Sequence, residues 1–146
     1  MRACLVHHSD AVGPNEDAQR PLSELGRSQA EWLAAFVRDA GFAPAAIWHS
    51  GKLRSKQTAE AFLHVFPFAE FRMVRGLRPE DPREWMRDEL AVETRDVLLV
   101  GHMPHLPGLA YALIGGHGEF PLHGVIGVER DEAGGWKEFV RARPDV

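Results

Sequence analysis

A chain of 146 residues with 45% hydrophobic side chains, including 4 Trp and 8 Phe, carries enough apolar material for one domain around one sizeable core. Its 17 basic and 21 acidic residues leave a formal charge of −4, which argues against a general nucleic-acid binder, whose surface would be basic. The single cysteine, Cys4, lies within the first apolar run; it has no internal disulfide partner and reads as a buried strand residue of a reducing compartment.

In chain order, Arg2 to His7 reads as a buried first strand, and the polar stretch Asp10 to Arg20, with Gly13, Pro14 and Asn15, as a loop. From Leu22 a helix is expected, because Leu22, Leu25, Leu33, Phe36, Val37 and Ala40 follow helical spacing and Gly41 suits its stop. Ala45 to His49 is a short strand. A helix follows to about Phe66, with Leu53, Phe62 and Phe66 facing inward, and Pro67 ends it. Glu70 to Val74 alternates like a strand. Asp81-Pro82-Arg83-Glu84 has the form of a helix start, with Asp as N-cap, Pro at N1 and Glu at N3. Asp96 to Gly101 is an apolar strand of the parallel type, and Pro104 opens a helix on which Leu106, Leu109, Ala110 and Leu113 share a face before Gly115-Gly116. Val125 to Glu129 and Trp136 to Arg141 form a hairpin around Asp131 to Gly135. Strand and helix in alternation, closed by a hairpin, predict a single α/β domain over 1–146: a three-layer sandwich, mostly parallel, with helices on both faces and the hairpin at the edge. The N-terminus has no apolar stretch long enough for a signal peptide or membrane helix, so a cytoplasmic protein is expected, with neither membrane nor nucleic acid as a partner.

Three strand ends carry chemistry in this arrangement: His7-His8, Ser50 and His102. Ligands in open α/β sheets bind beyond the carboxyl ends of the strands. Arg54 falls in the first turn of the second helix, where a cation beside free backbone N–H groups makes an oxyanion or phosphate site, and Arg20 precedes Pro21-Leu22. Histidines with arginines and no thiolate point to phosphoryl transfer through a histidine nucleophile.

These residues resemble the histidine phosphatase superfamily, and most closely its small SixA-type phosphohistidine phosphatase branch. The superfamily's opening Arg-His-Gly is matched by His7-His8-Ser9, followed by Asp10-Ala11. Its Arg-Pro-Leu-Thr/Ser-x-x-Gly segment is matched by Arg20 to Gly26, its Ser-Pro-x-x-Arg-Ala-x-Gln-Thr-Ala segment by Ser50 to Ala59, and its Gly-His-x-Pro by Gly101-His102-Met103-Pro104. The resemblance implies His8 as the nucleophile that accepts the phosphoryl group, with Arg54, His102 and Arg20 around the phosphate oxygens. It also implies a backbone carbonyl that fixes the His8 tautomer. Glu80, in the segment where larger members carry a proton-donating carboxylate, is the candidate acid beside His8 and His102. No cofactor and no metal are expected. The implied substrate is protein phosphohistidine, or else a small phosphoester.

The sequence departs from the pattern at His7, where the superfamily has an arginine. Neutral imidazole offers neither the permanent charge nor the bidentate fork of guanidinium. A protonated His7 would restore the charge, and the chain should then be more active at mildly acidic pH. The alternative is a catalytically impaired relative that binds phosphate or a phosphoprotein. A more remote alternative is a metal-dependent hydrolase built on His7, His8, Asp10, His102 and His105. His105 reads as structural, and His49, His64, His117 and His123 as surface or loop residues.

Overall fold

The chain runs β1 (Arg2–His7), α1 (Glu24–Asp39), β2 (Ala46–His49), α2 (Leu53–Val65), β3 (Glu70–Met73), α3 (Arg83–Val92), β4 (Val97–Gly101), α4 (His105–Ile114), β5 (Val125–Arg130) and β6 (Trp136–Ala142). This order is seen in a computed structural model that describes residues 1–116 and 119–145; His117 lies outside them. One six-stranded sheet has the order β3-β2-β4-β1-β5-β6. Strands β1 to β4 are parallel, β5 runs antiparallel to β1, and β6 closes the edge as a hairpin with β5. The expected three-layer α/β sandwich is therefore the fold.

Alternation along the buried strands divides the core in two. Ala3 and Leu5 of β1 and Leu99 of β4 point to one face, where Met86 and Leu90 of α3 and Leu106 and Leu109 of α4 cover them. Cys4, Val6 and Leu98 point to the other, against Leu33 and Val37 of α1 and Phe62 of α2. Burial on both faces explains the unbroken apolar runs in β1 and β4. Cys4 is fully buried, and desolvation pushes its thiol well above the ordinary range. No helix among the described residues is long and apolar enough to cross a membrane.

Two starts differ from the sequence reading. Helix α1 begins at Glu24 rather than Leu22, because the Ser23 hydroxyl caps the Gly26 N–H at 3.0 Å. Leu22 instead forms an antiparallel bridge with Ala11, and Leu25 is 49% exposed. At α3, Asp81 is not the cap: its Oδ2 accepts the backbone N–H groups of Gly76 and Arg78, and Pro82 occupies the N-cap position without a side-chain bond. The carboxylate reaches back to the loop that precedes it and closes that loop instead of capping the helix.

Register sets the place of the site. His7 pairs opposite Gly101 and His49 opposite Val100, so β1, β2 and β4 end at one level. Between β1 and β4 the chain departs to opposite faces, to α1 after β1 and to α4 after β4, which opens a crevice at the carboxyl edge.

Candidate active site

The crevice brings together four imidazoles. Ring centroids lie 4.5 Å apart for His7 and His8, 5.0 Å for His8 and His102, and 4.9 Å for His7 and His123, the last pair nearly parallel at 6°. Arg54, in the first turn of α2, depresses the basicity of His7, His8 and His102 through its charge, and Arg20 acts likewise on His8 and on Arg54 itself. His7, His8, Arg20, Arg54 and His102, five of the six residues singled out from the sequence, therefore sit in one electrostatic neighbourhood. The sixth, Glu80, lies exposed on the loop between β3 and α3, with no hydrogen bond or ion pair to the cluster among the described residues.

Hydrogen-bond partners assign the ring protons. His8 Nδ1 lies 2.8 Å from the Ser9 carbonyl oxygen; a carbonyl only accepts, so Nδ1 carries the proton and Nε2 presents its lone pair. This is the backbone carbonyl the resemblance called for. His7 Nδ1 accepts the backbone N–H of His123 at 2.8 Å, so its Nε2 carries the proton. His102 Nε2 lies 2.7 Å from Ser50 Oγ, whose other partner, the Lys52 N–H at 3.3 Å, is a donor; with no other acceptor for the hydroxyl proton among the described residues, we assign the hydroxyl as donor to Nε2 and the proton of His102 to Nδ1. His8 alone of the three offers a lone pair, while His7 and His102 offer N–H groups.

Burial keeps these rings neutral. Desolvation, with His8, His123 and Arg54 adding to it, pushes His7 down to about 3. Desolvation with the His8 and Arg54 charges takes His102 to about 2. In His8 desolvation also leads, and although the Ser9 carbonyl opposes it, the ring is lowered to about 4. His7 is therefore not a cation near neutral pH, and its bond from His123 excludes a proton on Nδ1. The charge that arginine would bring at this position is absent, and a fixed neutral donor stands there. The fixed positive charges beside the rings are Arg54, Arg20 and, toward His102, Lys52. Arg54 Nε and His102 Nδ1 are buried without a protein partner, as is Ser9 Oγ. Buried donors of this kind normally have an acceptor, and an oxyanion between them would supply it.

Side chains of α1 and α2 hold the arm 9–23 in place. Ser9 N–H bonds Thr58 Oγ1 at 3.0 Å, Asp10 N–H bonds Gln29 Oε1 at 2.9 Å, and Leu22 N–H bonds Gln57 Oε1 at 2.7 Å. Ser55 Oγ receives the Ser50 N–H and donates to the Val100 carbonyl, tying β2 to β4. A Cβ on Gly26 would stand 1.9 Å from the Asp10 carbonyl oxygen, so only glycine admits the arm at that distance. Arg20 adopts φ 51° and donates from Nε to the Val12 carbonyl, which leaves its terminal N–H groups free of that bond.

His123 was missed by the sequence reading. It sits two residues before Val125, and β5 pairs with β1 so that Val125 lies opposite Val6. That register carries His123 to the tip of β1. Its Nδ1 donates to the His8 carbonyl at 2.8 Å, and its Nε2 faces Asp10 Oδ1 at 3.9 Å. The signal was available only as a topology, β5 beside β1, and not as a motif. His49 is likewise no surface residue: it is buried, and its Nδ1 accepts the Gly51 N–H.

The donor nitrogens of His7, His8 and His123 lie within 4.8 Å of one another, the spacing of a metal-ligand cluster. A cation there would face Arg54 and Arg20, and would have to take the Nε2 proton from His7. Both features weigh against a cation at this position. His105 is not part of the cluster; it is buried at the start of α4, beside the charges of Asp81 and Glu84. A cleft of about 470 Å³ between α1 and α2 holds none of the four clustered imidazoles.

Residues 8–86, slightly more than half of the chain, match the sequence profile of the Histidine phosphatase superfamily (branch 1), and the chain belongs to that superfamily. Its fold is of the small SixA type. The protein histidine phosphatase SixA complexed with tungstate superposes with a TM-score of 0.88 at 21% identity, covering 99% of this chain and 97% of that one. The putative phosphohistidine phosphatase SixA from Agrobacterium tumefaciens does so with a TM-score of 0.83 at 26% identity, over 98% and 97% of the two chains. An uncharacterized protein of Picosynechococcus sp. is 27% identical over 133 residues, 86% of this chain and 81% of that protein. Superfamily and fold together support a phosphatase.

Proposed function

We propose that this domain is a cofactor-independent phosphatase that passes through a phosphohistidine at His8 and acts on protein phosphohistidine. The Nε2 lone pair of His8 attacks phosphorus, the P–N bond of the substrate breaks, and the departing imidazole takes a proton from solvent. Water then attacks the phosphorus on His8, releases inorganic phosphate and returns the electron pair to Nε2. Arg54, Arg20, His102 Nδ1–H and His7 Nε2–H hold the equatorial oxygens, where the transition state spreads its charge. A phosphoester leaving group would need a proton, and Glu80 is the carboxylate proposed to give it; protonated imidazole leaves without that help. The lone buried Cys4 fits a reducing, cytoplasmic setting.

The observation that carries this reading is the pairing of His8 Nδ1 with the Ser9 carbonyl, which leaves Nε2 free beside buried unpartnered donors. Rapid-quench labelling with a ³²P-phosphohistidine protein tests it. An acid-labile label on His8, absent from His8→Asn, is expected; a label on another residue overturns the mechanism. Tight tungstate binding with no label at all would mark an anion-binding relative without turnover.

A further inference from the structure

Beyond the ends of β2 and β3 lies a second cleft of about 280 Å³, lined by Ser50, Met73, Arg75, Arg78, Asp81 and Trp85. It adjoins the histidine cluster through Ser50, whose hydroxyl meets His102 and whose carbonyl oxygen lies 3.5 Å from Arg78 Nε. Its two arginines stand without a carboxylate partner, as Arg27 and Arg143 do elsewhere among the described residues, but these two share one cleft beside the histidine cluster. Seven other arginines, from Arg2 to Arg141, each have a carboxylate within 3.7 Å. Arg75 and Arg78 have no such ion pair among the described residues. Asp81, the one carboxylate lining the cleft, has its Oδ2 engaged by two backbone N–H groups. The Arg75 guanidinium lies 4.0 Å over the Trp85 ring, with no carboxylate paired to it among the described residues, and Trp85 and Met73 are 41% and 61% exposed. Stacking on an indole holds a guanidinium in place while leaving its donor fork available.

We propose that this cleft is a specificity subsite for a carboxylate-bearing segment of the phosphorylated protein, an Asp or Glu beside an apolar side chain. Arg75 and Arg78 take the carboxylate, and Trp85 and Met73 take its apolar neighbour. The proposal rests on the phosphatase reading above, since the segment must continue from a phosphorylated residue held at His8.

The test compares two phosphohistidine peptides of equal length, one with Asp and Glu around the phosphorylated residue and one with Asn and Gln, on the wild type and on the double variant Arg75→Glu/Arg78→Glu. The wild type should prefer the acidic peptide by about three- to tenfold in kcat/KM, as two solvent-facing charge contacts provide. The preference should shrink as salt rises and should vanish or reverse in the double variant. Equal rates on both peptides by the wild type would overturn the subsite. Where the wild type hydrolyses neither, the phosphatase reading fails, and the ratio of the peptides' dissociation constants still decides the subsite. Arg75→Ala replaces the double variant if that chain does not fold, with the preference expected to fall.

Discussion

The two walls of the crevice are built differently. On the α1 and α2 side, the arm 9–23 is tied by side chains to the backbone at Ser9, Asp10 and Leu22, and glycine at position 26 lets it approach. On the other side, the 74–82 loop folds around a single carboxylate, Asp81, and the 119–124 segment meets the site through His123. The tied wall holds the Arg20–Gly26 and Ser50–Ala59 motif segments, while the Gly101–Pro104 motif stands at the end of β4. The other wall holds His123, Arg75, Arg78 and Trp85, which no motif marks. Fixed geometry on one wall suits the phosphoryl group, whose charge must be met by donors that do not move; the second wall is where this chain's own preferences can reside.

The largest effect should come from the tied wall's cation. Arg54→Met removes the guanidinium whose buried Nε lacks a protein acceptor, and kcat/KM on an aryl phosphate should fall by about 10³. Steady-state kinetics check it, and a loss under tenfold would mean that Arg20 carries the phosphate charge instead. Gly26→Ala comes next. Its methyl cannot occupy a point 1.9 Å from the Asp10 carbonyl oxygen, so the arm or the start of α1 must shift, at a cost of about 3 kcal/mol. A thermal melt should drop by roughly 10 °C in a domain of this size. A wild-type melting temperature would show that the arm is not held at this distance.

The second wall should respond less. His123→Ala removes one donor to the His8 carbonyl and the stack on His7, but keeps the backbone N–H that fixes the His7 proton. About 1 kcal/mol, several-fold in kcat/KM, is expected. A loss of the size seen for Arg54→Met would instead make His123 a direct partner of the phosphoryl group.

The same contrast explains what the sequence made legible. Apolar runs and helical patterns made the order of elements readable, because the central strands β1 and β4 are buried on both faces while the edge strands β3 and β6 are partly exposed. Gln57, Thr58 and Gly26 were readable as motif positions, and each has a local reason in the arm. The second wall was not readable. His123 reaches His7 only because β5 pairs with β1, a contact across more than a hundred residues that no local pattern encodes. Asp81 carries a helix-cap signature and yet serves its own loop, since two hydrogen-bond demands competed for one carboxylate. Whether His7 acts as a cation or a neutral donor depended on which atom meets its Nδ1, and only the fold decides that.

The neutral state of His7 leads to the smallest effect and the sharpest one. Were His7 a substitute cation, activity would rise as pH falls through the ordinary histidine range near 6.5. Burial instead lowers His7 to about 3 and His8 to about 4, so neither ring changes charge between pH 7.5 and 5.5. kcat/KM on an aryl phosphate should stay level across that interval and decline only nearer pH 4, when His8 Nε2 takes up a proton and loses its lone pair. The folded domain faces a separate limit with the same sign. Below 6.5 the unfolded chain protonates these histidines while the folded chain does not, so the stability they contribute is complete above 6.5 and is lost as pH falls toward the folded values. Melting temperatures recorded at each pH separate the two. An intact fold with activity rising several-fold from pH 7.5 to 5.5 would return the charge to His7 and break the hydrogen-bond assignment at His123.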